Sequence, residues 1–132
     1  MAPGPTTVGG RVRTGLRSLV ASRAEIEARE EREESERSGC SAVRHLSDRS
    51  RAEVFGVLRS VTLRPRQNVP ALEAELYDGT GSVRVVWLGQ RRIAGIEPGR
   101  RLRLTGFVTV RDGHRTMYNP RYELAPRPEG RA

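Results

Sequence analysis

Two short runs of this chain hold the side chains best suited to grip an anion. One is Arg64-Pro-Arg-Gln-Asn-Val-Pro70, with Arg64, Arg66 and Asn68; the other is Arg111-Asp-Gly-His-Arg115, with Arg111, His114 and Arg115. Arg84 lies between them in sequence, and Arg91 and Arg92 follow the apolar run that ends at Leu88. A guanidinium forks two donors onto a phosphate or a guanine and can lie flat on a base, neither of which an ammonium does. Tyr77 could add a stacking surface. Each arginine alone is most simply a solvated surface residue. What sets these apart is that both runs read as loops, both are basic, and the strands between them would carry them to one face.

All 24 basic residues are arginine, set against 16 acids for a net charge of +8. The want of lysine is most simply a coding bias, but the placement of the charge is informative. Residues 1–50 carry nine arginines and eight acids, whereas residues 51–132 carry fifteen and eight. The excess thus belongs to the second part of the chain, which favours a polyanion-binding face there. Without lysine there is no P-loop and no Schiff-base chemistry. Two histidines and one cysteine cannot fill a tetrahedral zinc site. Asp48, Asp78 and Asp112 occupy a predicted linker and turns, where Asp is usual. No enzymatic activity, cofactor or metal is expected. Cys40 has no intramolecular partner, the start lacks an apolar signal-peptide core, and no stretch reaches membrane-span length, so the expected setting is the cytoplasm.

The elements that must position these residues are strands. Residues 1–13, rich in Pro, Gly and Thr, are expected to be disordered. A charged helix follows, starting near Leu16 or at Ser22, whose spacing to Glu25 fits a capping box. The pairs Glu25–Arg29 and Glu33–Arg37 support it, and Gly39 is a stop signal. The run Ala24–Arg37 reads as a solvated face, with a partner-binding surface over residues 16–37 as the other reading. Residues 38–50 read as linker, so residues 1–48 form a leader to a barrel at residues 49–127, with a loose tail at 128–132.

From Ala52 the period changes to two. Val54–Leu63 fits a first strand, with Gly56 at a possible bulge. Leu72, Ala74 and Leu76 alternate with Glu73, Glu75 and Tyr77 in a second. Asp78-Gly79-Thr80-Gly81 is a hairpin signal leading to a third strand at Ser82–Leu88. Ile93–Ile96 has room for one helical turn, and Pro98-Gly99 is turn chemistry. The fourth strand covers 101–110; Asp112-Gly113 turns it into a fifth, Arg115–Leu124, where Pro120 fits only at an edge or bulge. Five short strands with the longest connection between the third and fourth give an all-β fold, a five-stranded OB-type barrel; the pattern alone also permits an SH3-like barrel. Trp87 shares its phase with Val83 and Val85, which favours the core over a stacking platform. Tyr118 and Tyr122 share a face with Leu124 and read as packing. Glu73 and Glu75 fall on the outer face, where they would repel phosphates or pair with Arg84.

Leu76-Tyr-Asp-Gly-Thr-Gly81, Val85-Val-Trp-Leu88, Gly99, Gly106 and Met117-Tyr-Asn-Pro-Arg-Tyr122 together resemble the OB domains grouped with anticodon-binding barrels. Most of all they resemble the wedge domain of the branched-DNA helicase RecG, with a similar Asp-Gly-x-Gly hairpin and Met-x-x-Pro-x-Tyr ending over roughly residues 52–124. The resemblance implies the fold and nucleic-acid binding as a class. It places Trp87 at the wedge's inward aromatic and Leu88 at the aromatic that stacks on separated bases. Arg92 falls where a second stacking aromatic would stand. It therefore implies plain binding here, while the departures at Leu88 and Arg92 leave duplex splitting without its stacking aromatics.

The expected function is non-catalytic binding of single-stranded or branched DNA, or RNA. Its candidate contacts are Arg64, Arg66, Tyr77, Arg84, Leu88, Arg91, Arg92, Arg111, His114 and Arg115. The rival is a protein-interaction module built from the barrel and the Arg/Glu helix.

Overall fold

A computed structural model describes residues 4–127, with side chains from Ala21 onward; the loose tail expected at 128–132 lies outside the described residues, as do residues 1–3 of the start. In chain order the elements are a helix α1 (Gly4–Ser38), a short 3-10 turn (Val43–His45), and strands β1 (Ser50–Leu63), β2 (Ala71–Tyr77), β3 (Ser82–Leu88), β4 (Arg101–Arg111), β5 (His114–Tyr118) and β6 (Arg121–Leu124).

The strands close on themselves. β1 pairs antiparallel with β4 along Ser50–Val57 and with β2 along Val57–Leu63, so one long strand serves two neighbours. β2 pairs with β3, β3 runs parallel to β5, and both β5 and β6 lie antiparallel along β4. The result is a closed five-strand barrel, because β5 and β6 are successive pieces of one position. The expected fifth strand is thus broken. Proline supplies no ladder N–H, and Asn119 sits in the left-handed region at φ 50°, which turns the chain before β6 begins.

Closure demands a tight crossing where β1 changes partners. Gly56 lies there, and a Cβ on it would fall on the carbonyl oxygen of Tyr77. The register shift in β1 lies between Leu58 and Ser60, and not at Gly56 as expected. Gly56 serves close backbone approach instead. Inward positions follow the alternation: Leu72, Ala74 and Leu76 from β2, Val83, Val85 and Trp87 from β3, and Leu102, Leu104 and Val108 from β4 form the core with Val54, Leu58 and Met117.

The segment read as linker is packed. Val43 is fully buried within the core cluster, and its amide donates to Asp78 Oδ2 at 2.8 Å. The helix also differs from expectation. Its backbone runs from Gly4, ahead of Leu16, through part of the stretch expected to be disordered, and ends at Gly39, whose φ is +78°. The face that carries Ala28, Glu31 and Ser35 turns to the barrel and does not face solvent, with the exposed Glu27 at its edge: Glu31 and Ser35 are buried, and Gly79 lies against the Ala28 carbonyl. Glu31 meets Arg101 through two hydrogen bonds, of 2.7 and 3.2 Å, and Glu27 lies 3.7 Å from Arg59. The hydrogen bonds that Arg101 donates to Glu31 hold its guanidinium above its ordinary pKa against the burial that opposes it. Ile26 remains exposed.

This packing predicts different outcomes for two truncations. Removing residues 1–38 is expected to leave a folded barrel, since the helix contacts described from Ala21 onward are mainly polar. Removing residues 1–48 also strips Val43 from the core, which should cost a further ~2 kcal/mol and lower the urea midpoint accordingly. Equal midpoints for the two would show that Val43 carries no stability.

Candidate nucleic-acid interface

The loop between β1 and β2 is built by an isolated bridge between Arg66 and Val69, with Gln67 and Asn68 both at positive φ. The loop between β4 and β5 is the two-residue turn Asp112-Gly113, also at positive φ throughout. These two turns bring Arg64 and Arg66 from one side and His114 and Arg115 from the other to a groove of about 350 Å³. Arg84 on β3 lies between them, and Glu73 and Glu75 on β2 share the lining. Four arginines thus meet two glutamates in one concave surface.

The arginines are not equally free. Arg66 pairs with Glu73 at 2.9 Å, and its guanidinium also lies 5.9 Å from the centre of the Tyr118 ring. Glu73 and Tyr118 flank Val86 in register, so Arg66 spans that residue, which is fully buried although its side chain points outward. Arg115 donates to the carbonyls of Arg44 and Leu46, which ties it to the packed linker. Arg64 and Arg84 have no ion pair among the described residues, although Glu75 lies directly across from Arg84 in register. The groove therefore offers two open cations and two that already hold protein oxygens.

Five candidates lie outside this groove. Tyr77 is covered: the Arg59 guanidinium stacks on its ring at 3.5 Å and reaches Glu27 of α1 beyond. Its outer surface is already used in a cation–π contact, so a base could stack there only by displacing Arg59. The covering follows from the bulge beside Arg59, which periodicity does not register. Leu88 is exposed at the end of β3, its amide held by Asn119 Oδ1. Arg111 is exposed at the tip of β4, and Arg91 and Arg92 are exposed in the loop after β3. Arg92 lines a different pocket, together with Trp87 and Tyr122.

Trp87 is core, 5% exposed, with its indole N–H donating to the Pro120 carbonyl at 3.2 Å. Tyr122, expected to pack, is 42% exposed. It does lie on the inner side, opposite Leu104 in register, but no strand among the described residues pairs with the far edge of β6 to cover it. Elsewhere, Arg127 lies 2.5 Å from Glu97 and holds that carboxyl below its ordinary range, chiefly through their hydrogen bond. No helix among the described residues is long and apolar enough to cross a membrane.

No family model and no curated protein matches the chain. A solved structure of RecG bound to a three-way DNA junction is similar to it, at 27% identity and a TM-score of 0.51. The match covers 64% of this chain and 12% of that one, so this chain corresponds to a small part of RecG. Together with the strand order of the closed barrel, the likeness makes this chain an OB-like fold similar to part of a DNA-junction-binding protein.

Proposed function

We propose that this chain is a non-catalytic nucleic-acid-binding protein that holds single-stranded or branched DNA, or RNA, in the groove between its two basic loops. The observation that carries the reading is the convergence of Arg64, Arg84, His114 and Arg115 from three separate segments onto one concave face, with Arg64 and Arg84 unpaired. Unpaired guanidiniums at fixed spacing meet phosphates without first breaking an internal ion pair. The DNA-bound state of the similar RecG structure supports the same class of partner. Glu73 and Glu75 limit the affinity, because they sit within the same surface and repel the backbone.

Fluorescence anisotropy against single strands, duplexes and forks over a salt series tests this. Binding is expected at low salt, with a linear fall of log affinity against log salt. Arg84→Ala and Arg64→Ala should each weaken binding and reduce the slope by about 0.7, the value for one single-strand phosphate contact. Absence of binding to every oligonucleotide at low salt would hand the barrel to the protein-interaction reading.

A further inference from the structure

The barrel closes through β5, and beyond the last pair of that ladder a seam opens between β3 and β6. The parallel ladder of β3 and β5 ends at Val86 and Tyr118, and the turn at Asn119-Pro120 then carries β6 along β4 and away from β3. In the seam so opened lies a pocket of about 570 Å³, within the range of small-molecule sites, roughly 300–1,000 Å³. Trp87 floors it, Tyr122 walls it, and Gln90, Arg92 and Arg121 surround it.

Three properties of this pocket point the same way. The Tyr122 ring is fixed by an edge contact with Trp87, with centroids 5.9 Å apart and planes at 80°, yet much of the ring stays open to solvent. A held, exposed aromatic is a stacking surface already ordered before any ligand arrives, which removes part of the entropy cost of binding. Arg92 and Arg121 have no ion pair among the described residues, and no carboxylate lines the pocket. Glu97, whose charge Arg92 influences, is already held by Arg127. This differs from the groove, where two glutamates share the lining. Finally, the Ala125 amide bonds to the Arg101 carbonyl, so by ladder alternation the N–H and C=O of Tyr122 point away from β4, toward the seam.

We propose that this pocket receives one unpaired nucleobase, stacked on Tyr122, while Arg92 and Arg121 meet the adjoining phosphates. The inference rests on the nucleic-acid reading and deepens it by assigning a second contact point, which shares no lining residue with the groove. The base must be unpaired, because one inside a duplex has both faces covered by its neighbours. Stacking accepts any base, so the site discriminates strand form and not sequence. With β3 running from Arg84 at the groove to Trp87 at the pocket, a strand gripped in one can feed the other.

The test uses the full chain and a single-stranded DNA substituted with iodouridine, irradiated at low salt, with the cross-linked peptide mapped by mass spectrometry. The expected cross-link is on Tyr122. In parallel, Tyr122→Leu should weaken single-strand binding about tenfold, as loss of one stacked base does, while Tyr122→Phe binds nearly as wild type. Circular dichroism checks that both variants fold. Arg84→Ala should weaken binding yet leave the cross-link on Tyr122. Bound DNA that cross-links only elsewhere, or not at all, overturns the pocket and leaves the groove standing. So does a folded Tyr122→Leu with unchanged affinity. A wild-type protein that binds no oligonucleotide overturns both.

Discussion

Trp87→Ala is expected to unfold the barrel or leave it barely folded. The side chain is the largest in the core, is almost wholly buried, and donates to the Pro120 carbonyl at 3.2 Å. Truncating a buried tryptophan costs about 3–5 kcal/mol, against a total of about 5–15 kcal/mol for an ordinary domain. A barrel of this size sits toward the lower end, because a short chain buries a smaller share of its surface. Trp87→Phe should fold with a lowered urea midpoint, since it keeps ring burial and loses one hydrogen bond worth about 1 kcal/mol. It should still bind nucleic acid through the groove arginines, with any weakening confined to the pocket that Trp87 floors. A Trp87→Ala protein with wild-type stability and no binding would mean that the ring works in the seam and not in the core.

Asp78→Ala should be nearly as damaging, although the residue lies in a turn. Its carboxylate accepts from the amides of Thr80 and Gly81 at 2.8 and 3.1 Å, from the Thr80 hydroxyl at 2.7 Å, and from the Val43 amide at 2.8 Å. The alanine variant leaves the buried Val43 N–H without an acceptor, and an unsatisfied buried donor costs about 1–3 kcal/mol before the turn itself is counted. The loss should reach ~3 kcal/mol in chemical denaturation. Hydrogen exchange offers a second readout: the Val43 amide should lose protection far more than amides in β4 do. Unchanged exchange at Val43 would show that the packed segment is held by its apolar contact alone.

The legible parts of this fold are those that obey alternation. Leu72, Ala74 and Leu76 read inward from sequence and are inward, and the phase of Trp87 with Val83 and Val85 holds in the same way. Strand order followed from turn chemistry, because Asp78-Gly79 and Asp112-Gly113 leave the chain little choice but to reverse. Contacts between distant segments left no periodic trace. Val43 looks like any linker residue until the Asp78 carboxylate, on another element, captures its amide. Nor could the face of α1 that docks be read as a binding stripe, because among the described side chains it consists of Glu, Ala and Ser with no apolar period. At the candidate interface, residue type and loop placement brought forward Arg64, Arg66, Arg84, His114 and Arg115, which do line one groove. They could not show that Arg66 is held by Glu73 or that Arg59 lies on Tyr77, since both depend on side-chain reach across strands. Tyr122 reads as packing from sequence for a related reason. Its inward phase was readable, but the missing strand beside β6 was not.

The footing of α1 on the barrel consists largely of charged pairs, Glu31 with Arg101 and Glu27 with Arg59. The exposed Glu27–Arg59 pair responds to ionic strength as a ligand does, since the screening length falls from about 10 Å at 0.1 M salt to about 3 Å at 1 M, whereas the buried Glu31 carboxylate is screened far less. Added salt therefore acts twice. It shields a bound strand from the groove, and it loosens Glu27 from Arg59, returning one cation to the surface. This carboxylate acts as an internal counterion, and its release opposes the first effect. The full-length chain should thus lose affinity less steeply with salt than its phosphate contacts require, and the chain shortened to begin at Gly39 should recover the full dependence.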